Sequence, residues 1–123
     1  MPCILVITED LEQRRAWRRL FVRAGYTVMD ARDSREGLHY CQTHVIDLVL
    51  MALLRPLAQE AATLRAFRTG APAVRLLVLV ARDVLGQMDG ALLVSLSSVD
   101  RIFEHPVEET SVLAAVRALL AMP

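Results

Sequence analysis

The chain is predicted to fold as one α/β domain over residues 1–123, with five parallel strands and helices on both faces of the sheet. Three observations predict it. Short apolar runs of strand length alternate with amphipathic stretches of helix length along the whole chain. The run Val74–Val80 is nearly all apolar, as a strand covered on both faces must be. The size and balance, 123 residues with 54% apolar and 23% charged side chains, suit a single buried core and exclude a disordered tail.

The elements follow in order. Cys3–Thr8 is a β-rich run and reads as the first strand. Leu11–Ala24 follows as a helix, with Leu11, Trp17, Leu20, Phe21 and Ala24 at helical spacing on one face and Arg14, Arg15, Arg18 and Arg19 on the other. Gly25 closes it as a C-terminal glycine does. Thr27–Ala31 is the second strand. Ser34 is placed to cap a helix running to about Gln42. Val45–Ala52 is the third strand, bounded by Arg55-Pro56. Leu57–Thr69 is a helix with Leu57, Ala61, Leu64 and Phe67 on one stripe, ended by Gly70 and Pro72. Val74–Val80 is the fourth strand. Val84–Leu96 is a helix weakened by Gly86 and Gly90. Asp100–Glu104 is the fifth strand, and Glu108–Met122 closes the chain as a helix with Val112, Leu113, Val116, Leu119 and Leu120 inward. In such a sheet, functional residues lie at the carboxyl ends of the strands. Those ends are Thr8-Glu9-Asp10, Ala52-Leu53-Leu54, Val80-Ala81-Arg82 and Glu104-His105-Pro106.

Composition narrows the chemistry. The 14 basic residues, all arginine, balance 14 acidic ones. With no lysine there is no Schiff-base lysine, phosphate-loop lysine or lysine base. A GC-rich genome disfavours Lys and Asn codons and accounts for most of this. Zero net charge argues against nucleic-acid binding by this domain alone. The uncharged runs Leu48–Leu54 and Leu76–Ala81 are too short to cross a bilayer, and no basic segment precedes the apolar run after Met1. Cys3 and Cys41 make no disulfide framework. A cytoplasmic chain with reduced thiols and no membrane contact is expected, either standing alone or at the front of a longer protein.

Six segments, taken together, resemble the receiver domain of bacterial response regulators: Ile4–Asp10, Ala24–Val28, Asp47–Pro56, Leu77–Asp83, Phe103–Pro106 and Val112–Leu120. The resemblance spans the chain and implies the flavodoxin-like (βα)5 fold of receivers. It also implies where phosphoryl chemistry would sit. The position of the family's phosphoacceptor aspartate holds Ala52, and a methyl group is no nucleophile. The family's hydroxyl position holds Val80. Its lysine position holds His105, whose imidazole is shorter and mostly neutral near pH 7. Its aromatic switch position holds Ile102. The metal-binding acidic pair falls on Thr8 and Glu9, with Asp10 following, too few carboxylates for a Mg²⁺ site. Codon bias turns Lys into Arg; it does not explain Ala52, Val80 or His105.

Other patterns are weaker. Cys41 and His44 are spaced C-x-x-H, and Cys3 belongs on the same rim, but a zinc site needs a second matched pair. Asp47 stands at the wrong end of its strand to replace the acceptor, and Glu104 alternates away from His105. The arginines of the first helix form a solvated face or a dock for an acidic partner or a phosphate. Gly90–Leu96 is too apolar for a plain surface helix. Leu92, Leu93, Ile102 and Phe103 therefore form a candidate interaction surface. The expected function is a degenerate, phosphorylation-independent receiver: a signalling module that binds a protein partner or a second copy, without enzymatic activity, cofactor or metal. The alternative is a small-molecule sensor using the vacated pocket, lined by Glu9, Ala52, Val80 and His105.

Overall fold

The structure is a computed structural model that describes residues 1–53, 57–82 and 98–122. Its elements are β1 (Cys3–Ile7), α1 (Leu11–Arg23), β2 (Thr27–Ala31), α2 (Ser34–Thr43), β3 (Leu48–Leu53), α3 (Leu57–Gly70), β4 (Arg75–Ala81), β5 (Arg101–His105) and α4 (Glu109–Ala121). The strands form one parallel sheet in the order β2-β1-β3-β4-β5. The helix expected over Val84–Leu96, with Leu92 and Leu93, lies outside the described residues.

Strand alternation sorts the core into two layers. Ile4, Val6, Leu48, Leu50, Leu77 and Leu79 face α1 and α4, where they meet Trp17, Phe21, Val112 and Val116. Leu5, Ile7, Val49, Met51, Val78 and Val80 face α2 and α3, where they meet Ala61, Leu64 and Phe67. Trp17 and Phe21 stack with ring centroids 6.0 Å apart, one helical turn from each other. Gly37 lets α2 lie close on the sheet: a Cβ there would fall 2.9 Å from Ile7 Cγ1. Gly25, at φ +96°, ends α1 in the left-handed conformation that favours glycine.

Several expectations from sequence shift. Asp33, not Ser34, caps α2: its Oδ1 accepts from the Glu36 N–H at 2.9 Å. Both residue types cap, and the chain turns into the helix one residue earlier. Strand β3 starts at Leu48, because β1 begins only at Cys3 and leaves Val45 without a neighbouring strand; Val45 is 84% exposed. Strand β5 extends to His105, which lies beside Ala81. On α1, Leu11 is 48% exposed and Arg14 only 9%, the reverse of their expected faces.

Candidate functional site

The carboxyl ends of β1, β3, β4 and β5 converge on one rim of the sheet, where parallel topology leaves strand ends uncovered. At the end of β1, Thr8 is buried, its N–H donating to the Ala31 carbonyl and its Oγ1 accepting from the Asp10 N–H at 3.3 Å. Asp10 caps α1, its Oδ1 accepting from the Glu12 and Gln13 N–H groups at 2.9 and 3.2 Å. Its Oδ1 is thereby turned onto the first turn of α1.

Arg14 holds this turn from beneath. Its Nη1 donates to the Thr8 carbonyl at 2.8 Å and to the Glu9 carbonyl at 3.3 Å. A guanidinium placed on two carbonyls fixes the backbone that carries Thr8 and Glu9. One residue away, Gln13 Nε2 donates to His105 Nε2 at 3.3 Å, joining α1 to the end of β5. His105 Nδ1 and Gln13 Oε1 are buried with no hydrogen-bond partner among the described residues. Sequence reasoning missed both residues. The signal was there: Arg14 stands three and seven positions before Trp17 and Phe21, and Gln13 four before Trp17, so both share the inward stripe.

A cleft of about 90 Å³ opens beside β1 and β3, and Thr8, Glu9, Arg32, Asp33, Ala52 and Thr63 are among its lining residues. It corrects the expected pocket in part. Thr8, Glu9 and Ala52 are brought together. Val80 is fully buried in the layer facing α2 and α3, and His105 turns toward α1 instead. Strand alternation explains the split: Val80 lies beside Glu104 and Ala81 beside His105, so Val80 and His105 stand on opposite faces. As expected, Glu104 points away from His105, and its Oε1 accepts from Arg82 Nε at 2.7 Å.

The donor set does not fit Mg²⁺. That ion takes hard oxygen ligands in octahedral array. Here the cleft offers two carboxylates, Glu9 and Asp33, the second already accepting from the Glu36 N–H, while Ala52 offers no oxygen ligand and Asp10 Oδ1 caps α1. Among the described residues no three His, Cys, Asp or Glu side chains cluster as metal ligands.

The remaining candidate residues are placed plainly. Ile102 is 39% exposed. Phe103 packs on the α1/α4 layer with the Arg101 guanidinium 5.0 Å above its ring. At the opposite rim, Cys3 and Cys41 are free and partly buried. Burial raises both thiol pKa values, with further raising by the Asp47 charge at Cys3 and by Cys3 at Cys41. Among the described residues no helix is long and apolar enough to cross a membrane.

No protein-family model matches the chain. Solved structures similar to it include receiver domains. One from Methanospirillum hungatei aligns over 98% of this chain and 94% of its own at a TM-score of 0.81 and 18% identity. One from Clostridium thermocellum aligns over 98% and 94% at a TM-score of 0.80 and 21% identity. In sequence, the chain is 30% identical over 117 residues to the response regulator MprA of Mycolicibacterium vanbaalenii. That match covers 95% of this chain and 49% of the relative, so the chain spans about half the relative's length.

Proposed function

Starting from the receiver-domain fold and the likeness to a response regulator, we propose that this chain is a cytoplasmic signal-transduction module that works without phosphoryl transfer. One observation supports this above the rest. The end of β3 presents the methyl group of Ala52 to the cleft, and the resemblance puts Val80 and His105 where an active receiver has a hydroxyl and a lysine. On this reading the domain is not an enzyme and takes no cofactor. It acts by binding a protein partner or a second copy, and signals arrive as a bias between states that a partner binds unequally.

The cleft still holds two carboxylates, Glu9 and Asp33, so the reading is open to direct test. The protein is incubated with a small phosphodonor and Mg²⁺, and its intact mass is measured. The expected result is no phosphoryl adduct; an adduct mapping to either carboxylate overturns the reading. Ala52→Asp alone is also expected to stay unmodified, because the hydroxyl, lysine and second acidic positions remain unrestored. The small-molecule alternative is disfavoured by size. About 90 Å³ holds a few waters or a small anion, against roughly 300–1,000 Å³ for ordinary ligand pockets.

A further inference from the structure

We infer that Cys3 and Cys41 form a redox-modifiable dithiol, which closes to a disulfide between β1 and α2 when a low-molecular-weight disulfide is the oxidant. The inference goes beyond the proposed function and does not depend on it. Three placements bring the thiols together. Strand alternation puts Cys3 on the face of β1 that carries Leu5 and Ile7, where Cys41 packs from α2. Gly37 seats α2 on that face, since a Cβ there would meet Ile7 and come within 3.6 Å of Leu5 Cδ2. Cys41 stands one helical turn beyond Gly37, and Cys3 stands two residues before Leu5, so both lie further along the same face toward the amino-terminal rim. The charge of Cys3 is felt at Cys41, so the sulfurs are neighbours.

Both thiols are free and only partly buried. Among the described residues no third ligand joins them to make a metal site. An open cleft of about 340 Å³, lined by Cys41, His44, Ile46, Gly70 and Val74, gives a small disulfide access to Cys41. The chemistry balances in two exchanges. The Cys41 thiolate attacks one sulfur of the small disulfide, forms a mixed disulfide and expels one small thiolate. The Cys3 thiolate then attacks Cys41 Sγ, closes the Cys3–Cys41 bond and expels the second small thiolate. The two protein thiols are oxidised, the small disulfide is reduced, and the two thiol protons pass to the small thiols. Burial keeps both thiolates scarce near pH 7, and the Asp47 charge adds to this at Cys3, so the exchange quickens as pH rises. The chain enters α2 at Asp33 and Ser34, which line the cleft beside Ala52. The bond would fasten the other end of that helix to the sheet.

The test equilibrates the whole chain, native and in urea, with glutathione buffers of stepped reduced-to-oxidised ratio. Acid quenching, alkylation and intact mass then count the free thiols, and peptide mapping locates the bonds. The native chain is expected to lose both thiols together, its mass falling by two hydrogens. It should reach half oxidation in a buffer at least about tenfold more reducing than the urea-unfolded chain needs, because the fold holds the thiols together. Cys3→Ser and Cys41→Ser should each stop at one glutathione adduct. Circular dichroism checks folding, and if Cys41→Ser does not fold, Cys41→Ala replaces it. Three results overturn the inference: glutathione on both cysteines with no bond between them, a bond formed only between two chains, or a native chain no easier to oxidise than the unfolded one.

Discussion

The two rims of the sheet differ in how their polar side chains are wired. At the amino-terminal rim, partly exposed side chains of the described residues are tied to backbone groups. Arg68 Nη1 donates to the Val74 carbonyl at 2.6 Å, and its Nη2 and Nε donate to the Ser98 carbonyl at 2.6 and 3.1 Å. Asp100 Oδ2 accepts from the Leu76 N–H at 2.8 Å. Asp47 and Cys3 exchange two bonds, which tie the starts of β3 and β1 together. At the carboxyl-terminal rim, Gln13 Oε1 and His105 Nδ1 stay buried and unmatched among the described residues. Structural polar groups are usually satisfied because an orphan costs about 1–3 kcal/mol. Both atoms lie at the end where the resemblance places the phosphoryl site.

If this contrast is real, the same kind of substitution should have opposite consequences at the two rims. The largest effect is expected for Arg68→Ala, which strands several carbonyls at once. Urea unfolding should show a loss of about 2–4 kcal/mol, and a loss under about 0.5 kcal/mol would contradict that wiring. Arg14→Met is expected to cost about 1–2 kcal/mol. It also releases the Thr8–Glu9 turn, which amide hydrogen exchange would register as lost protection at Asp10 and Glu12. The double change Q13L/H105L should be close to neutral, within about 1 kcal/mol of the parent. It removes two unmatched polar atoms together with one bond. A large destabilisation would show that the pair is satisfied. The smallest effect is chemical: with burial raising both thiol pKa values, Cys3 and Cys41 should alkylate more slowly at pH 7.5 than free cysteine. The gap should close as pH rises and the thiolate fractions converge.

Much of the fold was legible in the chain. The apolar runs around Val6, Leu50 and Val78 became central strands, and the stripe of Trp17 and Phe21 became the buried face of α1. Gly25 ended that helix with the positive φ its position called for. That the end of β3 carries a methyl group at Ala52 and no nucleophile there was readable too, since it follows from residue identity alone. The site's wiring was not. Arg14 was assigned to the solvated face by its charge, although its spacing from Trp17 and Phe21 put it on the inward stripe. Long side chains bury their stems and send their heads to distant acceptors, which a hydropathy pattern does not register. Leu11 erred the other way: its spacing from Trp17 suggested burial, yet the first turn of α1 leaves it half-exposed.

The amino-acid sequence by itself determined the order of the described strands and helices, the parallel sheet they imply, and the methyl group of Ala52 at the end of β3. Those properties depend on local periodicity and on residue identity, both of which are carried along the chain. Only the tertiary structure decided that His105 meets Gln13, that Arg14 holds the Thr8–Glu9 turn, and that Val80 leaves the cleft to Ala52 and Glu9. Those contacts join residues distant in the chain, or depend on which face of a strand a side chain leaves by. Strand register and the seating of α1 on the sheet decide both.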